Sequence, residues 1–130
     1  MPALNFNPQP ATKKNSRLKL ALTGPSGSGK TFTALSIAAH LLPDPRIVVI
    51  DTEHGSASLY AKEFTFDVFH LEDHDPRNYV ECIRQAVKLG YDIIIIDSLS
   101  HAWNGTNGAL EMVDNASKKS GNGFGAWRDV

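Results

Sequence analysis

Gly24, Gly29, Lys30 and Thr31 stand at the spacing G-x-x-x-x-G-K-[ST], inside the stretch LTGPSGSGKTFTAL that runs from Leu22 to Leu35. The pattern has a chemical reading. Glycines let backbone N–H groups turn inward around phosphate oxygens, where side chains would obstruct them. A helix that starts directly afterwards adds free N–H groups and the positive end of its dipole. The segment Gly24, Pro25, Ser26, Gly27, Ser28, Gly29, Lys30, Thr31 and Phe32 therefore reads as a cradle for the phosphates of ATP. Lys30 reaches the β- and γ-phosphates and assists their transfer, and Thr31 offers its hydroxyl to Mg²⁺.

Two carboxylate sites fit the same chemistry. The run IIIIDS ends in Asp97, and ligands of open parallel sheets bind at the C-terminal ends of the strands. There Asp97 suits a metal role, holding Mg²⁺ directly or through water. The alternative is an aspartate that only caps the next helix. The run VVIDTEHG delivers Asp51 and Glu53 to the same edge. A carboxylate in that place can orient and deprotonate an attacking water, or it can simply be solvated on a loop.

The elements that position these residues follow from periodicity. Leu18 to Thr23 alternates and predicts a strand. Thr31 to Leu42 predicts a helix that stops before Pro43. Arg46 to Asp51 predicts a buried strand, Ser56 to Glu63 a short helix, and Thr65 to Leu71 a strand. Pro76 to Leu89 predicts a helix capped by Asp75 and ended by Gly90. Tyr91 to Ser98 predicts a strand that is apolar on both faces. The Asn, Gly and Lys content from Asn104 to Gly125 predicts at least one long loop, and Phe124 to Val130 the first turns of a helix. Strands alternating with helices, with continuous Ile and Val runs, predict an α/β fold whose parallel sheet is covered on both sides. Residues 1–17, with Pro2, Pro8 and Pro10, read as a flexible arm ahead of one domain from 18 to 130.

Composition sets bounds. The chain has 130 residues, 42% of them hydrophobic and 21% charged, which suits one modest globular domain. A net charge of −1 argues against a uniformly basic nucleic-acid surface. The single cysteine, Cys82, permits no internal disulfide and points to a reducing, cytoplasmic setting. No apolar run approaches the ~20 residues of a spanning helix, so no membrane partner is expected.

GPSGSGKT together with IDTEHGSASLYAKEF and DIIIIDSLS resembles the RecA-type ATPases, the bacterial and phage strand-exchange family. The resemblance covers about Leu18 to Ser100. DSLSHAWNGTNGALEMVD is similar to a phage-associated subgroup, the RecA-like proteins often filed as phage AAA-family ATPases. The resemblance implies a RecA-like P-loop NTPase sandwich of three layers, with a mainly parallel sheet. It implies Glu53 as catalytic base and Tyr60 as the aromatic that stacks on adenine. Tyr60 also reads as a core tyrosine on a short helix. The resemblance further implies DNA recombination or repair as the setting, with DNA and further copies of the chain as partners of a full-length parent.

One departure matters. The family continues with further strands, one of which lies between the P-loop strand and the strand that ends in the metal-binding aspartate. Nothing after Asp97 reads as a strand here. The chain therefore reads as the N-terminal part of an ATPase core, with either a gap or an unusual direct pairing between those two strands. Lys118 and Lys119 alone fall near the family's first DNA-binding loop, and two adjacent lysines usually form just a solvated face. Two other functions stay open: a P-loop kinase of a small molecule, and a nucleotide-binding remnant without activity. The cluster His70, Glu72, Asp73, His74 and Asp75 matches no zinc spacing and predicts a solvated loop. Cys82 is expected in the core. His101 and Trp103 have no assigned role.

Overall fold

The computed structural model describes residues 6–13 and 16–130. The expected arm lies partly outside that range. From Phe6 to Lys13 it is exposed and holds no helix or strand. The described chain forms helix α1 (Lys30–Leu41), strand β1 (Ile47–Asp51), a 3₁₀ turn (Ala57–Tyr60) and strand β2 (Asp67–His70). Helix α2 (Pro76–Lys88), strand β3 (Ile93–Asp97), the short helix α3 (His101–Asn104), helix α4 (Ala109–Ser120) and a last 3₁₀ turn (Gly125–Asp129) follow. No helix among the described residues is long and apolar enough to cross a membrane.

The fold is α/β, with a parallel sheet in the order β2-β1-β3. Register sets Asp51 beside both His70 of β2 and Asp97 of β3. β1 is the central strand and is buried along its whole length. That is the expected fate of an Ile/Val run in a parallel sheet with both faces covered. Leu35 of α1, Val49 of β1 and Ala57 form a core cluster, with Tyr60, Phe64, Phe66 and Ile95 packed around it. Val48 and Ile50 alternate to the other face and are equally closed to solvent. α2 packs against β1. This arrangement is a partial P-loop NTPase fold.

Two expectations are overturned. Leu18 to Thr23 is not a strand: it pairs with nothing, and Leu18, Leu20 and Leu22 are 62%, 57% and 38% exposed. Alternation gives a strand only when a neighbour takes its N–H and C=O groups, and β3, the nearest candidate, stands apart. Between the two runs a slot of about 580 Å³, walled by Leu18, Leu20 and Leu22 and by β3, rests against Ile37 and Leu41 of α1. At the C-terminal ends of the strands its lining includes Gly24, Thr31 and Asp97. Of the two arrangements foreseen, it is the gap.

The predicted loop from Asn104 to Gly125 instead contains α4. The helix buries little, only Val113 among its residues, which is why its polar composition hid it. It is supported by an Asp114–Lys118 pair one turn apart and stopped by Gly121 in the left-handed conformation at φ 67°. Trp103 after β3 stacks on Trp127 of the last turn, with ring centroids 5.7 Å apart.

Candidate functional site

The glycine loop arches from Gly24 into the start of α1. Ser28 N–H donates to Pro25 O at 3.2 Å, closing a turn. Gly29 caps α1 at φ 91°, a conformation that a side chain would strain. A Cβ on Gly24 would lie 2.7 Å from Ser28 Oγ, so a side chain there would make that hydroxyl rotate away. Lys30 Nζ donates to Gly24 O at 2.6 Å and to Pro25 O at 2.9 Å, which ties the lysine across the loop.

Thr31 Oγ1 donates to Asp97 Oδ2 at 2.7 Å. This bond spans 66 positions of sequence and joins the first turn of α1 to the last residue of β3. A hydroxyl and a carboxylate oxygen side by side are the donors that a hard divalent cation prefers. The donor set therefore fits Mg²⁺, with Thr31 and Asp97 as the residues that would hold it.

β1 ends at the same edge. Asp51 is buried at 2% exposure, contrary to a solvated loop. Its Oδ1 accepts Glu53 N–H at 2.8 Å, its Oδ2 has no hydrogen-bond partner among the described residues, and His70 Nδ1 stands 4.0 Å away. The Glu53 side chain is exposed. The structure thus brings the glycine loop, Lys30, Thr31, Asp97, Asp51 and Glu53 to one edge of the sheet. Phe32 and Tyr60 lie beside the loop with centroids 5.9 Å apart. Phe32 also meets Phe64 at 5.4 Å, edge to face. Tyr60 packs on the core, while Phe32 is 47% exposed.

A second group of side chains lies beneath Asp97 and was invisible in the sequence. Thr52, 1% exposed, donates its backbone N–H to Asp97 O at 2.8 Å. Its Oγ1 accepts Ser98 N–H at 2.8 Å, lies 3.1 Å from Ser98 O and 2.8 Å from His101 Nδ1. Tyr79 of α2 donates its phenol to Ser98 O at 3.2 Å. Burial pushes that phenol above its ordinary 10.0, and the charge of Glu53 adds to the rise, while the Thr52 hydroxyl and the backbone at Ala102 oppose it. The phenol therefore stays a donor at neutral pH. His101 stacks on His74, centroids 4.8 Å apart. His74 is 6% exposed with neither ring nitrogen hydrogen-bonded, so the expected solvated loop fails at this residue. No spacing in the sequence marks Thr52; the folded sheet places it one residue past the Asp51–Asp97 register.

Cys82 is half-buried rather than fully in the core, and burial raises its thiol above the ordinary value. Among the described residues no three His, Cys, Asp or Glu side chains gather as a metal cluster.

Comparison with known proteins gives two findings. A family model described as an AAA domain matches residues 16–130. A protein named maintenance of carboxysome distribution protein A, from Gloeobacter kilaueensis, is 32% identical over 84 residues. That alignment takes in 63% of this chain and 38% of the relative, so the chain spans well under two thirds of the curated relative's length. No solved structure matches the chain significantly.

Proposed function

Since this chain belongs to the AAA domain family, we propose that it binds ATP at Gly24–Thr31 and hydrolyses it with Glu53 as general base. The observation that carries this reading is the 2.7 Å bond from Thr31 to Asp97, which fixes the start of α1 against the end of β3. In this reading Lys30 trades its bonds to Gly24 O and Pro25 O for phosphate oxygens. The N–H groups at the start of α1 take the remaining phosphate charge. Thr31 and Asp97 would hold Mg²⁺. When bound, the ion offsets the negative charge that builds on the phosphate oxygens. Glu53, exposed at the site's edge, takes the proton of the attacking water, and Asp51 steadies the Glu53 backbone. Phe32 and Tyr60 give the adenine an aromatic wall.

A finer assignment is a RecA-like ATPase of DNA recombination or repair, phage-associated, with DNA and further copies of the chain as partners. Its support is the join of IDTEHGSASLYAKEF to DIIIIDSLS. The name of the Gloeobacter relative supports a different use of the same hydrolysis, the distribution of a cellular cargo. Stimulation of turnover by single-stranded DNA separates the two.

The core proposal is tested with two variants. Lys30→Ala should weaken ATP binding by about 10- to 100-fold, the worth of charged hydrogen bonds to the phosphates. Calorimetric titration measures it, and equal binding by the variant sinks the phosphate site. Glu53→Gln should keep ATP binding and lower turnover by about 10²- to 10⁴-fold. Unchanged steady-state hydrolysis would move the base elsewhere.

A further inference from the structure

Thr52 stands between Asp51 and Glu53 in sequence, yet its bonds run to the other strand. It is nearly closed to solvent, and its backbone N–H and its hydroxyl both bond residues from Asp97 onward. Its backbone N–H takes Asp97 O, its hydroxyl oxygen takes Ser98 N–H, and the same oxygen meets His101 Nδ1 at the start of α3. The ladder between β1 and β3 ends at the Asp51–Asp97 register. Thr52 extends that union by one residue, with a side chain in place of a strand.

A threonine hydroxyl has one proton and two lone pairs. Ser98 N–H occupies one lone pair. The proton goes to Ser98 O, at 3.1 Å, or to His101 Nδ1, at 2.8 Å. Whichever ring nitrogen of His101 is protonated, the hydroxyl keeps partners on both the 97–98 segment and α3. Tyr79 secures the same carbonyl, Ser98 O, from α2. Four elements therefore meet at one small alcohol: β1, the end of β3, α2 and α3.

We propose that Thr52 is a positioning residue for hydrolysis: its hydroxyl sets the distance and orientation of Glu53 relative to Asp97. It touches neither substrate nor metal. It acts through its neighbours, Glu53 one bond along the chain and Asp97 through the Ser98 amide. This rests on the reading of Glu53 as base and Asp97 as metal holder. Groups that hold such residues from behind are worth about 10- to 100-fold in activity, because small misplacements at a reacting centre are costly.

The experiment compares Thr52→Val and Thr52→Ser with Glu53→Gln in one assay of ATP turnover and ATP binding. Valine keeps the shape and removes the hydroxyl; serine keeps the hydroxyl and removes the methyl. Thr52→Val should lower kcat by about 10- to 100-fold with less than about a threefold change in the Kd for ATP, and Thr52→Ser should recover most of the lost kcat. Thr52→Val with wild-type kcat overturns the proposal, as does a Thr52→Ser loss as deep as that of valine, which would mean packing and not the hydroxyl. A fall in binding that matches the fall in kcat also overturns it. If Thr52→Val folds poorly, Tyr79→Phe gives the second reading, since it removes only the other donor to Ser98 O. A kcat unchanged there overturns the proposal. Failure of the underlying reading is distinct, because it appears as full turnover by Glu53→Gln.

Discussion

Asp97 has two duties that one substitution separates. It accepts the Thr31 hydroxyl, and in the proposed function it would also offer negative charge to a cation. Asn in its place keeps an acceptor oxygen and loses the charge. Asp97→Asn should therefore raise the Mg²⁺ concentration for half-maximal turnover by at least about tenfold, the effect already seen for groups one shell further out. Nucleotide binding measured without metal should change much less. A Mg²⁺ titration with the same midpoint and the same plateau would refute the metal role. Asp51 is less accessible than Glu53 to an attacking water, since it is buried and its Oδ1 is engaged by Glu53 N–H. At this scale the sequence was legible where chemistry is local: a glycine loop, the lysine and threonine after it, and carboxylates that end strands. It was silent where residues meet only in space. Thr52, Tyr79 and the segment from Ser98 to His101 lie far apart in the chain and share no spacing rule. His74 lay in a stretch so polar that its burial against His101 and Gly105 could not be read from composition.

Helix α2 shows what a cap contributes at the scale of an element. Asp75 Oδ1 accepts Arg77 N–H at 2.9 Å, with Pro76 as the first helical residue, and the Arg77 guanidinium clasps the same carboxylate. That side-chain bond holds the Asp75 carboxyl below its ordinary 3.8, with partial opposition from burial. A group whose folded value is depressed contributes above its unfolded value and loses the contribution as pH falls through the folded one. The cap should thus be whole above about pH 4 and fade below it. Asp75→Ala should cost about 1 kcal/mol at neutral pH, with the difference from wild type shrinking in acid. Amide hydrogen exchange in the first turn of α2, compared between the two proteins from pH 3 to 7, checks it, and a difference that held constant to pH 3 would remove the cap from the account. α1, β1, α2 and β3 were legible to within two residues at each end because each combines strong periodicity with a stop signal. α4 was missed because a helix that buries one residue writes almost nothing in apolar spacing. Its Asp114–Lys118 pair and Gly121 stop were the readable marks. Leu18 to Thr23 failed for the opposite reason: its pattern is right for a strand, but pattern does not supply a partner.

The whole molecule carries an unfinished edge. β3 pairs with β1 on one side, and its other side faces the slot. Its five residues are Ile93 to Asp97, four isoleucines and an aspartate. An apolar strand with one free row of N–H and C=O groups is a template for other chains. Leu18, Leu20 and Leu22 across the slot add exposed apolar surface. The separate 130-residue chain should therefore lack a single cooperative thermal transition, even with Mg-ATP, and should associate as its concentration rises. Light scattering during a calorimetric melt checks both. A sharp, reversible melt of a monomer that binds ATP at micromolar concentration would show that the edge is closed in solution by other means.

The slot also ends at the proposed nucleotide site, since Gly24, Thr31 and Asp97 belong to its lining. Walls shared by two ligands make their binding constants interdependent. A strand seated between Leu18–Thr23 and β3 would fix the separation of the glycine loop from Asp97, and a phosphate held between them would fix the same separation. If such a strand tightened ATP binding by about fivefold, ATP would by reciprocity tighten the strand's binding by about fivefold as well. In that relation the bound nucleotide acts as a clasp on the sheet, and its hydrolysis is the event that loosens it.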